Sequence, residues 1–359
     1  MRWLALPAGV LVLATTLLDL FRTLVMPRAA RGRYRLSRLV FLGLWRPWRW
    51  LALRARTAQG RERFLAAASP MSLFVLLAAW AALTVVAYAL ILWSPAFAHD
   101  IRGAGDSFGT TVYFSGTSFF TLGFGDVVET GPARVVAIVE AANGLGLIAV
   151  VIAYLPVLYQ AFNRREVGVL LLNARAGSPP SGSELLRRAG GHGVRHSLPQ
   201  LFQEWERWAA DVLESHLSYP SLAFFRSPHD DTSWLTSLGA VLDAATLVVS
   251  SVADDECIEA ARMLYATATH AVEDLFFYFR LEERAGMIER AEFDEVMADL
   301  REAGVPLKGA EESWPTFVQM RDAYGARLNA LSVRIAAPPT QWIGDRSTIA
   351  RASEARSHA

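Results

Sequence analysis

The run Met71–Trp93 constrains the fold more than any other feature, because its 23 consecutive residues carry no charge. As a helix it is about 35 Å long at 1.5 Å per residue, which is enough to cross the hydrocarbon core of a bilayer. Backbone polar groups at that depth have no water to bond, and a helix satisfies them internally. The sequence therefore predicts an all-α membrane protein, in keeping with only 19% charged residues.

Three further apolar stretches differ in length. Trp3–Met26 has 24 residues, and Val135–Phe162 has 28 with a single charge, Glu140, so both are long enough to span. Ser107–Phe120 has only 14 residues and is too short to cross, so a re-entrant helix is expected. No small-residue cleavage site follows the first stretch. Residues 1–27 are therefore predicted to be a retained transmembrane helix, with Asp19 and Arg22 able to pair near its end.

The segment 28–69, between the first two spans, is strongly basic. It contains eleven arginines and one acid, Glu62, with tryptophans interleaved among the arginines. The excess of positive charge predicts a cytoplasmic or interfacial location. The N-terminus would then lie outside, the second span would run outward, and the last would return inward.

Composition changes after residue 165. Residues 166–197 contain a Gly-Ser-Pro-rich run and are predicted to be a linker. Apolar residues at helical spacing follow, which predicts a helical cytoplasmic domain over residues 198–335 and a disordered tail over 336–359. The helices expected in that domain cover 198–217, 232–252, 255–285, 290–303 and 313–335.

Several functional classes are disfavoured. One cysteine, Cys257, excludes a disulfide framework within the chain, and a net charge of zero argues against nucleic-acid binding. The acidic clusters at 229–231 and 254–256 stand at expected helix starts, where capping explains them better than a divalent cation. No catalytic constellation is recognisable, so we expect neither enzymatic activity nor a cofactor.

The segment Thr121–Asp126 (Thr-Leu-Gly-Phe-Gly-Asp) is the candidate ion-binding segment of the chain. A cation leaves water only if other oxygens replace its hydration shell, and backbone carbonyls from several chains can do so. Aiming successive carbonyls in one direction requires the backbone to alternate in handedness. Glycine adopts positive φ without steric cost, so Gly123 and Gly125 stand where such a strip needs them.

These six residues resemble the signature filter of potassium channels, Thr-x-Gly-Tyr/Phe-Gly-Asp, with Phe124 in place of the commoner tyrosine. The surrounding residues 70–165 are similar to the two-helix pore module of bacterial ion channels. The resemblance implies an outer helix, a re-entrant pore helix, a filter and an inner helix. It also implies a homotetramer in the bacterial inner membrane, with potassium as the permeant ion.

The resemblance assigns roles by position. The ion-coordinating residues would be Thr121, Leu122, Gly123, Phe124 and Gly125. Filter support is expected from Ser118 by this resemblance, and from Asp126 and Glu140 by their own chemistry, because Asp126 ends the strip and an ionisable group within a span usually faces protein or water. Cavity lining is a second possibility for Glu140. The cavity and gating candidates would be Asn143, Gly144, Gly146 and Pro156. For the two glycines, close helix packing is at least as good an explanation as a hinge.

Two other functions stay open from sequence alone. A weakly selective cation channel would use the same strip with looser discrimination. A membrane-anchored sensor or scaffold would rely on the helical domain, with a silent pore.

Overall fold

The chain forms two compact units that are built almost entirely of helices. The first unit comprises residues 1–54 and 67–159, and the second comprises residues 55–66 and 160–359. The prediction of an all-α fold is confirmed, apart from one pairing of two short strands. This computed structural model describes residues 2–24, 26, 36–55, 57–103, 107–190, 194–228, 232–284, 288–338, 340 and 342.

Helices α3 and α5 are the longest elements, and each has residues in both units. The elements up to the end of α5 are α1 (Ala5–Leu24), α2 (Leu36–Ala52), α3 (Ala58–Trp93), β1 (Ile101–Arg102), α4 (Phe108–Phe119), β2 (Val128–Glu129) and α5 (Ala133–Ala176). The expected short helix at 107–120 is thus present as α4. The basic segment 28–69 is partly helical, since α2 lies within it and α3 begins at Ala58; its arginines at 28, 31, 33, 35 and 56 lie outside the described residues.

The rest of the second unit is a bundle of shorter helices. These are α6 (Gly182–Gly190), α7 (Val194–Ser218), α8 (Trp234–Ser251), α9 (Asp255–Phe279), α10 (Arg290–Glu302), α11 (Ala310–Asp322) and α12 (Gly325–Ile335). A 3-10 turn, Pro220–Phe224, follows α7. Helix α8 packs against α6, α9, α11 and α12 and forms the centre of this unit.

Among the described residues, four helices are long and apolar enough to cross a membrane. Three of them are α1, α3 and α5, of whose most apolar windows 22%, 50% and 22% are buried within the chain. The fourth, α8, has 94% of its window buried. A helix that is apolar all round and enclosed by other helices is a core helix, so α8 is accounted for without a membrane.

Helix α1 is held against the rest of the first unit by a close backbone contact and by hydrogen bonds to a buried acid. A side chain at Gly9 would come 2.7 Å from the carbonyl oxygen of Ala87, so only glycine lets the two backbones meet. Asp19 accepts hydrogen bonds from the indole Nε1 of Trp80 at 3.0 Å and from the backbone N–H of Ser37 at 3.2 Å. The second bond satisfies a free amide at the start of α2. The contacts described for Asp19 therefore lead to α2 and α3, beyond the pairing with Arg22 that its spacing suggested.

The expected linker at 166–197 is mostly helical instead. Helix α5 continues to Ala176, and α6 follows at Gly182. A Cβ at Gly182 would lie 2.6 Å from the backbone nitrogen of Ala244 and 2.7 Å from the oxygen of Ala240. This glycine therefore permits close packing of α6 on α8. The sequence composition had predicted a flexible linker at this position.

Helix boundaries in the second unit also depart from expectation at two places. The helix expected at 255–285 ends at Phe279, because Arg280 turns left-handed at φ 52°. The helix expected at 313–335 is divided into α11 and α12 at Ala323 and Tyr324, where the Tyr324 hydroxyl donates a 2.6 Å hydrogen bond to Asp243. The tail 336–359 lies almost wholly outside the described residues.

Candidate functional site

The strip after α4 alternates in backbone handedness. Thr121, Gly123 and Gly125 have φ of 56°, 54° and 79°, while Leu122 and Phe124 between them are not left-handed. Successive carbonyls can share a direction only with such an alternation. The two glycines adopt the positive φ that was expected of them. The left-handed conformation of Thr121 was not predicted from the sequence.

The carbonyls that end α4 hold the start of the strip. The N–H of Thr121 donates to the carbonyl of Ser118 at 3.0 Å, and the N–H of Leu122 donates to that of Thr117 at 2.7 Å. A left-handed threonine is strained and persists only where its surroundings fix it. These two bonds supply that constraint, and the contribution of Ser118 to it is its backbone oxygen.

The far end of the strip is fixed by the loop that precedes α4. Strands β1 and β2 pair antiparallel, with Ile101 opposite Glu129 and Arg102 opposite Val128. A Cβ at Gly103, where φ is 89°, would come 2.8 Å from the carbonyl oxygen of Asp126. The backbone of Asp126 is therefore covered by Gly103, and its side chain is exposed at the end of the strip.

One face of the strip is open within a single chain. A Cβ built on Gly123 or Gly125 would meet no atom within 4 Å. The side chains of Leu122 and Phe124 are 57% and 67% exposed. Large apolar side chains left uncovered at a rigid site are typical of surfaces that another chain or lipid covers.

Behind the strip, a buried polar centre joins three helices. The hydroxyl of Ser115 in α4 donates to the carbonyl of Val85 in α3 at 2.7 Å and is also hydrogen-bonded to the carboxyl of Glu140 in α5. Ser115 and Glu140 are both fully buried. A buried carboxyl needs a polar partner to offset the loss of water. Glu140 thus contacts α4, the helix that precedes the strip.

Sequence reasoning missed Ser115 and favoured Ser118 as the supporting hydroxyl. A signal was available, because a buried acid in an apolar helix calls for a donor nearby. Ser115 shares a face of α4 with Thr111 and Ser118, four and three residues away. The sequence alone could not say which of these hydroxyls meets α5, since that depends on how α4 is rotated.

The inner-helix candidates lie in different surroundings. The Asn143 amide donates to the hydroxyl of Tyr88 in α3. A Cβ at Gly144 would overlap the carbonyl oxygen of Phe119 and lie 2.9 Å from its carbonyl carbon, whereas a Cβ at Gly146 would meet nothing within 4 Å. Gly144 thus serves close packing of α5 against the end of α4. Pro156 lies inside α5, which continues past it to Ala176.

Among the described residues, no group of three or more His, Cys, Asp or Glu side chains could hold a metal ion. The acidic cluster at 254–256 behaves as expected at one position, since Asp254 accepts the N–H of Cys257 and caps α9. The cluster at 229–231 lies outside the described residues.

Comparison with known proteins agrees with this geometry. Residues 73–160 match a family model described as "Ion channel", which indicates an ion-channel module in this part of the chain. A membrane protein of Bacillus subtilis (strain 168), described as "Uncharacterized membrane protein YdjJ", is 26% identical over 249 residues, covering 67% of this chain and 68% of its own length. No solved structure gave a significant match. The chain is therefore an all-α membrane protein with an ion-channel module.

Proposed function

We propose that this chain is one subunit of a potassium-selective channel and that four copies form the pore around Thr121–Gly125. The observation that carries the proposal is the alternation of left-handed residues at 121, 123 and 125 within residues that match the ion-channel family. Such a strip offers backbone carbonyls in series, and these can replace the hydration shell of a dehydrated monovalent cation.

The need for several chains follows from the geometry of one. A single strip surrounds an ion on one side only, and its open face carries the exposed Leu122 and Phe124. A ring of copies about one axis would cover those side chains and bring several strips together, as closed symmetry provides for most homo-oligomers. Four is the number that the resemblance to potassium channels implies.

Placement in the bilayer is part of the proposal. Helices α1, α3 and α5 would span, α4 would be re-entrant, and the filter would face the outside. The basic residues that precede α3 would lie on the cytoplasmic side with the second unit. In a bacterial cell this places the chain in the inner membrane as a multi-pass protein.

The decisive experiment measures potassium flux from liposomes that contain the purified full-length protein. Gly123→Ala is the test variant, because alanine at φ 54° costs about 1 kcal/mol in each subunit and moves a carbonyl. Gly43→Ala is the matched control, since Gly43 lies in α2 with nothing within 4 Å of a new Cβ. We expect wild type and Gly43→Ala to conduct alike and Gly123→Ala to leak no faster than empty liposomes.

Reversal potentials in opposed potassium and sodium solutions then test the selectivity. A potential close to the potassium equilibrium value is expected. A value near zero would replace the proposal with a weakly selective cation channel. Wild-type liposomes no leakier than empty ones would favour a sensor or scaffold whose pore is silent.

A further inference from the structure

Arg165, in the C-terminal part of α5, is a buried cation whose hydrogen-bonding capacity is fully used. Its side chain is 1% exposed. Nε and Nη2 donate to Glu166 Oε1 at 2.9 and 2.7 Å, Nη2 also donates to the carbonyl of Phe225 at 2.9 Å, and Nη1 donates to that of Leu222 at 2.7 Å. Nη1 also lies 3.2 Å from His216 Nε2. A guanidinium has five N–H groups, and these five contacts engage all of them.

His216 is held in the form that accepts this bond. Its Nδ1 lies 2.7 Å from the carbonyl oxygen of Val212, which can only accept, so Nδ1 carries the proton and Nε2 presents its lone pair to Arg165. Burial, and next the charge of Arg165, hold the pKa of His216 well below its usual range. A neutral histidine therefore completes the pocket around the guanidinium.

The backbone at Arg165 is also held by a hydrogen bond and by close packing. The indole Nε1 of Trp208 in α7 donates to the carbonyl of Arg165 at 3.1 Å. A Cβ at Gly168 would overlap the same indole ring, so only glycine lets Trp208 approach α5 this closely. Helix α5 is thus fixed on its side-chain and backbone sides by α7 and by the segment that follows α7.

That segment, Pro220–Arg226, is also attached to α3, and we call it the clasp. Arg226 Nη1 lies 3.5 Å from Glu62 Oε2 in the first turns of α3, with both side chains less than 10% exposed. Arg226 Nη2 donates to the carbonyls of Ile335 and Ala336, at 2.8 and 2.7 Å, where α12 ends. The clasp therefore contacts α3, α5 and α12 through buried charged groups.

We propose that the clasp fixes the N-terminal end of α3 and the C-terminal end of α5 in one arrangement and thereby sets how readily the pore conducts. This inference rests on the proposed channel function. Both helices continue from their clasp residues into the apolar stretches that flank the filter, α3 to Trp93 and α5 back to Ala133, with one proline on the way in each, Pro70 and Pro156. A helix transmits displacement of one end along its length, so a change in the second unit that moves the clasp would move both pore helices together.

Under this proposal Arg165 is a positioning residue, and its neighbour supplies a matched control. Arg164 is 59% exposed and pairs with Asp211 at 3.3 Å. Exposed pairs of this kind contribute little, so Arg164→Met removes an arginine without touching the clasp. Arg165→Met removes the guanidinium and, with it, the hydrogen bonds to the carbonyls of Leu222 and Phe225. Arg165→Lys retains the charge but has three donors for five acceptor contacts, so an intermediate effect is expected.

The experiment combines hydrogen exchange and potassium flux on the full-length protein in liposomes. In Arg165→Met we expect faster exchange at residues 220–226 and also at residues 59–66, which the clasp contacts through Glu62. We expect its flux to differ from that of Arg164→Met by about fivefold or more, the lower range for coupling between separate sites. Glu62→Gln, which weakens the pair with Arg226, should change flux in the same direction.

Each outcome bears on a different statement. Unchanged exchange at residues 59–66 in Arg165→Met would overturn the clasp, and faster exchange with unchanged flux would overturn its control of the pore. If the wild-type protein does not conduct, the proposed channel function fails, while the exchange of residues 59–66 still decides whether the clasp joins the two helices. Should Arg165→Met not assemble, Arg165→Lys and Glu62→Gln carry the same comparison.

Discussion

Helices α5 and α8 are both apolar, yet their surroundings are opposite. Their most apolar windows have mean hydropathy of 2.3 and 1.4, while 22% and 94% of those windows are buried within the chain. In the second unit other helices enclose α8, whereas the described part of the chain buries only a minority of the residues in the apolar window of α5. Hydropathy thus shows that a helix avoids water, and only the packing shows what replaces the water.

The two units also differ in how they bury an acid. In the first, Glu140 meets the hydroxyl of Ser115. In the second, Asp243 meets Arg321 Nε at 3.0 Å and the Tyr324 hydroxyl at 2.6 Å. The buried acid of α5 thus has a neutral partner in α4. The buried acid of α8 has a charged partner, which α11 supplies.

The largest expected effect is on the buried charge pair of α8. Arg321 and Asp243 have side chains 4% and 2% exposed. Arg321→Met leaves the aspartate buried without its cation, which typically costs about 3–5 kcal/mol. We expect a corresponding fall in the free energy of unfolding of the second unit, measured by hydrogen exchange of α8 and α11 in the full-length protein.

Arg290→Met is the control, because Arg290 is 33% exposed and pairs with Asp294 and with the exposed Glu311, and such exposed pairs contribute about 1 kcal/mol or less each. Adding Asp243→Leu to Arg321→Met should recover part of the loss, since it removes the unpaired charge. If Arg321→Met costs no more than Arg290→Met, the contrast between the two buried acids does not hold.

The next effect concerns two glycines of α5 that sequence analysis could not separate. Gly144→Ala would push a methyl group into the carbonyl of Phe119, two residues before the strip. Overpacking of this kind costs about 1–3 kcal/mol. Thermal unfolding of the detergent-solubilised protein should occur at a lower temperature, and potassium flux should fall because α4 has to shift.

Gly146→Ala is the comparison, with nothing within 4 Å of the new Cβ. Alanine favours a helix by about 1 kcal/mol over glycine, so stability should be unchanged or raised. Equal damage from the two substitutions would mean that neighbouring subunits crowd Gly146, or that both residues serve as a hinge.

The sequence predicted best those segments that can adopt very few structures. A 23-residue uncharged run and a Gly-x-Gly strip each admit few structures, and α3, α4, the strip and α5 follow in the expected order. The helices of the second unit could pack together in more ways, so its sequence predicts less of its structure. Gly182 is a flexible-linker residue by composition, yet it packs on α8 because the neighbouring backbone comes within 2.6 Å of its missing Cβ.

Contacts distant in sequence account for what could not be predicted. Ser115 and Glu140 are 25 residues apart, and Arg165 and Phe225 are 60 apart. Each pair depends on how one helix is rotated and shifted against another, which hydrophobic periodicity determines only to within a turn or so. The sequence indicated that Glu140 and Arg165 need polar partners, since a buried charge does. Which residues are those partners became clear only from the packing of the helices.

The smallest expected effect tests whether the core of the second unit holds a neutral histidine. His216 is fully buried, with its ring 4.5 Å from that of Trp234, Ser215 Oγ 3.2 Å from Nδ1 and Arg165 facing Nε2. Burial and the adjacent cation both lower its pKa. In the unfolded chain the imidazole takes up a proton near pH 6.5, while in the folded chain the lowered pKa means that it takes one up only at a lower pH.

Because the unfolded state binds more protons below that pH, the free energy of unfolding should fall as the pH decreases, by up to about 1.4 kcal/mol per pH unit. His216→Gln keeps an acceptor for Arg165 but cannot be protonated, so its unfolding should lose this part of the pH dependence. His270→Gln should retain it, since the His270 side chain is 63% exposed. Thermal unfolding of the three proteins from about pH 7.5 to pH 5 measures the difference. Identical profiles for wild type and His216→Gln would show that a charged imidazole is tolerated beside Arg165, and the closed core of the second unit would then be wetter than its packing indicates.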